Sequence, residues 1–228
     1  MSRVVVITGA ARGLGLEMAR QLTERGDAVV ITARDLEAAH DVAERLGEPA
    51  TAAQLDITDE GSVAEFGEHL AMTRTHVDVL INNAAALYDT SQTTAGADLD
   101  VVREAFEVNV LGAWRVTQAV LPLLRGSAHP RIVNVSSESG SLASMGGETP
   151  AYGVSKAALN AFTRKLAAEL REEEILVNAA CPGWTATDMG GSGGRPVPDG
   201  AMSIIWAADL PDGGPTGGFF RDGEQLEW

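Results

Sequence analysis

The stretch TGAARGLG, residues 8–15, decides the fold of this chain. It follows the apolar, β-branched run Val4–Thr8 and opens a helical pattern over Leu14–Arg25. A glycine-rich turn between a buried strand and a helix lets the backbone approach a diphosphate, and the helix N-terminus favours its charge. An ordinary glycine-rich turn is the alternative, because the spacing departs from GxGxxG: the glycines are Gly9, Gly13 and Gly15.

The rest of the chain repeats this alternation of strand and helix. Further strands are predicted at Ala28–Thr32, Thr51–Leu55, Val77–Ile81, Ile132–Val135 and Leu176–Ala179. Helices are predicted at Leu36–Leu46, Glu60–Thr73, Leu99–Leu124 (two helices or one kinked helix) and Ala151–Glu173. The pattern indicates an α/β fold, a doubly wound (Rossmann) parallel β-sheet with helices on both faces.

The 228 residues fit one domain, so we expect a cofactor-binding half over about 1–110 and a catalytic and substrate half over about 111–228. Ligands of such sheets bind at the carboxyl ends of the strands. Glycine and proline concentrate at Gly183–Gly200 and Pro211–Gly223, which we expect to be loops.

Charge and cysteine content exclude several classes of function. The net charge of −15 disfavours binding to nucleic acid or to an anionic membrane. Cys181 is the only cysteine, which excludes an intrachain disulfide and metal sites built on paired cysteines. The apolar run near the N-terminus is too short for a signal peptide. We therefore expect a cytoplasmic protein without a bound metal.

Five later motifs occur in a fixed order along the chain. They are NNAA (82–85), FEVNVLG with Asn109, NVSSESG with Ser137, YGVSK with Tyr152 and Lys156, and PGW (182–184). With the first turn they resemble the short-chain dehydrogenase/reductase family over the whole chain, although that family usually has NNAG. The resemblance is greatest to NADPH-dependent carbonyl reductases, whose long insertion between serine and tyrosine is missing here.

Tyr152 and Lys156 are spaced to lie on one face of a helix. A free tyrosine has a pKa of about 10, and a neighbouring cation can lower an acid's pKa by roughly 1–3 units. The resemblance implies that Tyr152 donates a proton to a carbonyl oxygen as hydride arrives, and that Lys156 holds the nicotinamide ribose. It also implies that Ser137 binds the substrate oxygen and that Asn109 positions a water. A strand-end cap at Ser137 and a helix kink at Asn109 are the alternatives.

The end of the second strand indicates the cofactor. NAD enzymes place an acidic residue there, whereas this chain has Ala33 and Arg34, with Arg12 in the first turn. Two arginines suit the 2′-phosphate of NADPH/NADP. The alternative is that Asp35 contacts the ribose. The resemblance adds cofactor contacts by Tyr152, Lys156, Thr8, Gly9, Gly13, Leu14, Gly15, Asp56, Ile57, Asn83, Ala84, Ala85, Pro182, Gly183, Trp184, Thr185 and Thr187.

The substrate is expected to be a small carbonyl compound: a ketone, an aldehyde or a quinone. The predicted pocket is apolar, with Leu142, Met145, Trp184 and Met189, although a buried structural Trp184 is the alternative. The competing functions are an NADP-dependent dehydrogenase of one secondary alcohol and a non-catalytic NADP(H)-sensing regulator. We expect a homodimer or homotetramer, paired through small residues of the Tyr152 helix: Ala157, Ala158, Ala161 and Ala168, with Phe162.

Overall fold

The computed structural model describes residues 2–86 and 89–228. Its strands are β1 Val4–Ile7, β2 Ala28–Ala33, β3 Thr51–Gln54, β4 Val79–Asn82, β5 Arg131–Val135, β6 Leu176–Ala180, β7 Phe219–Arg221 and β8 Glu224–Gln225. They form one sheet in the order β3-β2-β1-β4-β5-β6-β7-β8. Every pair is parallel except β7 with β8.

Helices cover both faces of this sheet. They are α1 Gly13–Glu24, α2 Leu36–Leu46, α3 Glu60–Thr73, α4 Leu99–Phe106, α5 Ala113–Leu124, α6 Pro150–Glu169 and α7 Val197–Ala208. Successive strand residues point to opposite faces. Val4 and Val6 therefore join the core under α3, α5 and α6, whereas Val5 and Ile7 join the core under α1, α2 and α7. The doubly wound fold predicted from the sequence is confirmed.

The predicted helical stretch Leu99–Leu124 is helical throughout, but its hydrogen-bonding pattern changes part-way. A π-helical turn over Glu107–Gly112 links α4 to α5. Such turns widen the backbone locally and are frequent at functional sites. Asn109 lies inside this turn.

Two predictions about loops were wrong. Helix α7 begins at Val197, inside the expected loop Gly183–Gly200. Prolines at its first turn need no hydrogen bond there, and its apolar face packs on the sheet. Strand β7 lies inside the expected loop Pro211–Gly223, because Phe219 pairs with β6 and is fully buried. Because glycines flank both elements, the sequence pattern predicted loops instead.

The chain proceeds outward from β1 to β3 on one side of the sheet and from β4 to β7 on the other, so the strand order switches between β1 and β4. Because these strands are parallel, the turns after β1, β4, β5 and β6 lie at one edge of the sheet, and α/β proteins bind ligands at the switch point on that edge. Among the described helices, none is sufficiently long and apolar to cross a membrane.

Candidate active site

The glycine-rich turn has the close approaches that its sequence predicts. Gly9 and Gly13 have φ of +64° and +56°, a left-handed conformation that favours glycine. A Cβ on Gly15 would lie 2.5 Å from the Gly9 carbonyl oxygen and 2.7 Å from Asn83 Nδ2. Leu14, which lies between Gly13 and Gly15 in the sequence, is half-buried. Any larger residue at position 15 would therefore push the turn away from β4.

Hydrogen bonds brace the NNAA segment against this turn. Thr8 Oγ1 accepts from the backbone N–H groups of Asn83 (2.9 Å) and Ala84 (3.0 Å). Asn83 Nδ2 donates back to the carbonyl oxygens of Thr8 (2.8 Å) and Gly9 (3.1 Å). Ala85 follows, half-buried. The structure thus brings the first and second motifs together.

Asn109 connects the NNAA segment to the helix that carries Tyr152. Its Oδ1 accepts from Ala86 N (2.8 Å), and its Nδ2 donates to Ser155 Oγ (2.8 Å). Ser155 Oγ in turn donates to the carbonyl oxygen of Tyr152 (2.7 Å). Asn109 therefore lies where the helix is interrupted, as the alternative of a helix kink expects, and it also bridges two motifs. Its role in positioning a water stays a prediction.

Tyr152 and Lys156 lie on the same face of α6, as their spacing predicts. Lys156 Nζ is 5.5 Å from the centre of the Tyr152 ring and donates to the carbonyl oxygen of Val135 (2.8 Å). Burial lowers the pKa of Lys156 to about 8, because the charged form loses its hydration; the nearby Cys181 acts in the opposite direction. A buried ammonium group beside a tyrosine ring is suited to electrostatic control of the phenol.

Ser137 lies directly after β5, at the N-cap of a short turn over Glu138–Gly140. Its Oγ accepts from Ser139 N (3.2 Å), so the capping role considered above is present. Gly140 packs so closely on α6 that a Cβ would lie 2.7 Å from Lys156 Cβ. The turn therefore holds Ser137 against the helix of Tyr152.

Two buried residues outside the predicted site, Ser136 and Asn160, fix this turn. Ser136 Oγ donates to Asn160 Oδ1 (2.6 Å), and Asn160 Nδ2 donates to the carbonyl oxygen of Gly140 (3.1 Å). Asn160 follows Lys156 by four residues and so extends its helical face. That spacing could have placed Asn160 on the face of Lys156, but it does not give the contact with Gly140.

The residues predicted to select the cofactor are more exposed. The Arg34 side chain is open to solvent. Arg12 is also exposed, and its Nη1 lies 3.4 Å from Asp188 Oδ2. Asp35 caps α2, with its Oδ1 accepting from Glu37 N (3.0 Å), while the side chain is exposed, so a ribose contact by Asp35 stays the alternative.

Asp56 and Ile57 follow β3 at the same edge of the sheet. Hydrogen bonds from Thr58 lower the pKa of Asp56, with a smaller contribution from Arg34. Ile57 is buried, and a Cβ on Gly112 would lie 2.7 Å from Ile57 Cδ1. Ile57 therefore contacts the π-helical turn that holds Asn109.

The segment after β6 folds back over the glycine-rich turn. A Cβ on Gly13 would lie 3.8 Å from Thr187 Cγ2. Thr185 Oγ1 donates to the carbonyl oxygens of Pro182 (3.2 Å) and Gly183 (3.1 Å). The predicted Thr187 and the first turn are thus brought together.

The predicted pocket residues are largely solvent-exposed. Trp184 is 68% exposed and its Nε1 donates to the carbonyl oxygen of Gly190 (2.7 Å), so the alternative of a buried structural tryptophan is wrong. Leu142 is 75% exposed and Met189 41%, whereas Met145 is half-buried. Their apolar surfaces are therefore available to a ligand.

Comparison with known proteins identifies the family. The sequence model of the family described as short chain dehydrogenase matches residues 3–195 of this chain. The chain belongs to the short-chain dehydrogenase family. Salutaridine reductase of Papaver somniferum is 30% identical over 98% of this chain and 95% of its own length. The (+)-neomenthol dehydrogenase of Arabidopsis thaliana is 32% identical over 96% and 95%.

A solved relative gives the same result for the fold. The NADPH-bound carbonyl reductase from chicken fatty liver superposes with a TM-score of 0.88 and 27% identity, over 100% of this chain and 99% of that one. This short-chain dehydrogenase is therefore an oxidoreductase, and its family uses nicotinamide cofactors. Its resemblance to carbonyl reductases, predicted from the motifs, is confirmed.

Proposed function

We propose that this protein transfers hydride from NADPH to the carbonyl of a ketone, an aldehyde or a quinone, with Tyr152 as the general acid. The observation that carries the proposal is the buried Lys156 ammonium group beside the Tyr152 ring, at the sheet edge that also holds the glycine-rich turn. Carbonyl reduction needs a hydride and a proton, and Tyr152 with Lys156 would provide the proton.

The residues at the sheet edge fit a dinucleotide. The N-terminus of α1 has no side-chain cap and no acidic residue in its first turn, which leaves backbone N–H groups for a diphosphate. Thr8, Asn83 and Lys156 would line the remainder of the cofactor site. When bound, the cofactor supplies the hydride.

The protein's own groups handle the proton. Tyr152 O–H donates it to the developing alkoxide, and the positive charge of Lys156 stabilises the phenolate that remains. Ser137 donates a hydrogen bond to the same substrate oxygen. Asn109 holds α6 through Ser155, which keeps Tyr152 in place during the transfer.

Preference for NADPH over NADH is the finer part of the proposal. Arg34 and Arg12 are exposed, and Ala33 replaces the acidic residue that reads a free ribose. A guanidinium group forms paired hydrogen bonds with phosphate. Arg12 would exchange its long ion pair with Asp188 for the 2′-phosphate.

The exposed apolar side chains favour a hydrophobic substrate. Trp184, Leu142, Met145 and Met189 are open or half-open to solvent on segments after β5 and β6. The neomenthol dehydrogenase relative supports a second candidate, NADP-dependent oxidation of one secondary alcohol. That reaction is the reverse of the first and would use the same residues.

A homodimer or homotetramer is proposed on an exposed helical face. Leu111, Trp114 and Val154 are 42–49% exposed, and Ala161 and Ala168 are also exposed. Phe162 belongs to the core instead, because it is 5% exposed and stacks on Trp114 at 4.5 Å. The division into a cofactor half over about 1–110 and a catalytic half over about 111–228 is part of the same proposal.

The test is NADPH absorbance in the presence of aryl ketones, aliphatic aldehydes, quinones and sugars. We expect stoichiometric NADPH oxidation with the apolar carbonyl compounds. Formation of NADPH from NADP and a secondary alcohol, with no reduction of any carbonyl compound by NADPH, would favour the second candidate. Tight NADPH binding with no turnover in either direction would favour a sensing regulator, although the Tyr152–Lys156 arrangement is complete.

A further inference from the structure

The helix of Tyr152 has no capping side chain at its own N-cap, as is also true of α1, α5 and α7. Helices α2, α3 and α4 each carry an aspartate at their own N-cap, whose side chain accepts from a backbone N–H of the first turn. The N-cap of α6 is Thr149, which has φ of +47° and makes no capping hydrogen bond. The first N–H groups of a helix have no partner inside the helix, so α6 needs an acceptor from elsewhere.

Asp89 supplies that acceptor from a distant part of the chain. Its Oδ2 accepts from Ala151 N (2.8 Å) and its Oδ1 from Tyr152 N (3.2 Å). Pro150 has no N–H group, and Gly153 N donates to the Thr149 carbonyl oxygen (2.8 Å). One carboxylate therefore satisfies both remaining donors at the start of α6.

Burial makes this contact costly to lose. Asp89 is only 6% exposed. A carboxylate is favoured at the positive end of a helix, and hydrogen bonds to a charged acceptor are stronger than those between neutral groups. Loss of Asp89 would leave two buried N–H groups of α6 without an acceptor.

We propose that Asp89 is a positioning residue for the reaction, which acts through the backbone of Tyr152. Asp89 holds the Tyr152 N–H, while Ser155, fixed by Asn109, holds the Tyr152 carbonyl. Both restraints tie α6 to the segment that follows β4, next to the glycine-rich turn. The phenol is thereby set relative to the cofactor half before substrate binds. This inference rests on the proposed role of Tyr152.

The experiment compares Asp89→Asn and Asp89→Ala with the unaltered protein, using NADPH and NADPH deuterated at the transferred position. Asparagine keeps one acceptor and alanine keeps none. A misplaced catalytic group costs on the order of 100-fold, so kcat should fall by about 10-fold in Asp89→Asn and about 100-fold in Asp89→Ala. The Kd of NADPH should stay within about twofold, because the glycine-rich turn is unchanged. The isotope effect on kcat should rise as proton and hydride transfer become rate-limiting.

Asp98→Asn is the matched control, because Asp98 caps α4 with one hydrogen bond to Asp100 N (2.9 Å). Its kcat and isotope effect should not change. Asp89→Asn with unchanged kcat and isotope effect, while Tyr152→Phe is inactive, would overturn the inference alone. An active Tyr152→Phe would overturn the proposed function instead.

Circular dichroism decides whether each variant is folded. If Asp89→Asn is not, Asp89→Ser takes its place, because a serine hydroxyl still accepts from one N–H group. Hydrogen exchange of the unaltered protein gives a second measurement. The Ala151 and Tyr152 amides should be protected, and exchange at the rate of an unstructured peptide would overturn the cap.

Discussion

The two sides of the active site are built in opposite ways. On the α6 side, Lys156, Asn109 and Asp89 are at most 6% exposed, and each forms hydrogen bonds to backbone groups or to a neighbouring side chain. On the ligand side, Arg34 and Trp184 are exposed. Buried polar groups cost free energy unless they are paired, so the first set tolerates few changes.

The difference separates reaction from recognition. The groups that would move the proton are held by the fold, which gives the same geometry to any substrate. The groups that would choose the cofactor and substrate carry few internal contacts, so they can change without loss of the fold.

The largest effect is expected at the buried side, from Tyr152→Phe. The variant keeps the ring but loses the transferable proton, and general acid catalysis is worth on the order of 10²- to 10⁴-fold. The kcat for carbonyl reduction should fall by that factor, while the Kd of NADPH, measured by fluorescence, changes little. A variant that keeps most of the kcat would contradict the assignment.

Arg34→Ala tests the exposed side. One hydrogen bond to a charged group contributes roughly 1.5–3 kcal/mol, so NADPH should bind about 10- to 150-fold more weakly. The kcat/KM for NADH should barely change, because NADH has no 2′-phosphate. Arg171→Ala, at an exposed arginine on another part of the surface, is the control. Equal losses for the two cofactors would mean that Arg34 has a structural role.

Burial of Lys156 predicts a pH-dependent stability. Burial lowers the pKa of Lys156 from its ordinary value of 10.5 to about 8 in the folded protein, so the cost of burying the charged lysine grows as the pH falls from 10.5 to 8 and is complete below pH 8. The unfolded chain binds more protons between these values, so stability rises with pH there. Relative to Lys156→Met, the free energy of unfolding should increase by about 2 kcal/mol from pH 7.5 to pH 10.

Urea unfolding at several pH values measures this difference. Lys165→Met is the control, because Lys165 is the other lysine of the chain and is exposed. A difference between the unaltered protein and Lys156→Met that stays constant across this range would show that burial does not disfavour the charged form of Lys156.

Trp184→Ala should have the smallest effect on the fold. Exposed side chains usually change stability by no more than about 0.5 kcal/mol. The KM for aryl ketones should nevertheless rise, because an apolar surface is lost. Trp184→Phe keeps that surface but loses the hydrogen bond to Gly190, so it should retain most of the affinity. Unfolding of Trp184→Ala at much lower urea would assign the residue to the core.

Much of this architecture could be predicted because it depends on local patterns. Periodicity gave α2 and α3 with their observed bounds, and the i, i+4 spacing placed Tyr152 and Lys156 together. Helix α7 and strand β7 could not be predicted in the same way. Their residues are flanked by glycine and proline, and they become ordered only by packing on the sheet and pairing with β6.

The sequence by itself determined the strand–helix alternation, the glycine-rich turn and the identity of the family, since each is written in contiguous residues. Only the tertiary structure decided that Asp89 caps α6 and that Asn160 fixes the turn of Ser137, across 62 and 20 positions of sequence. The physical reason is that a buried N–H or C=O group must find a partner wherever the fold provides one. Such a partner has no fixed spacing along the chain.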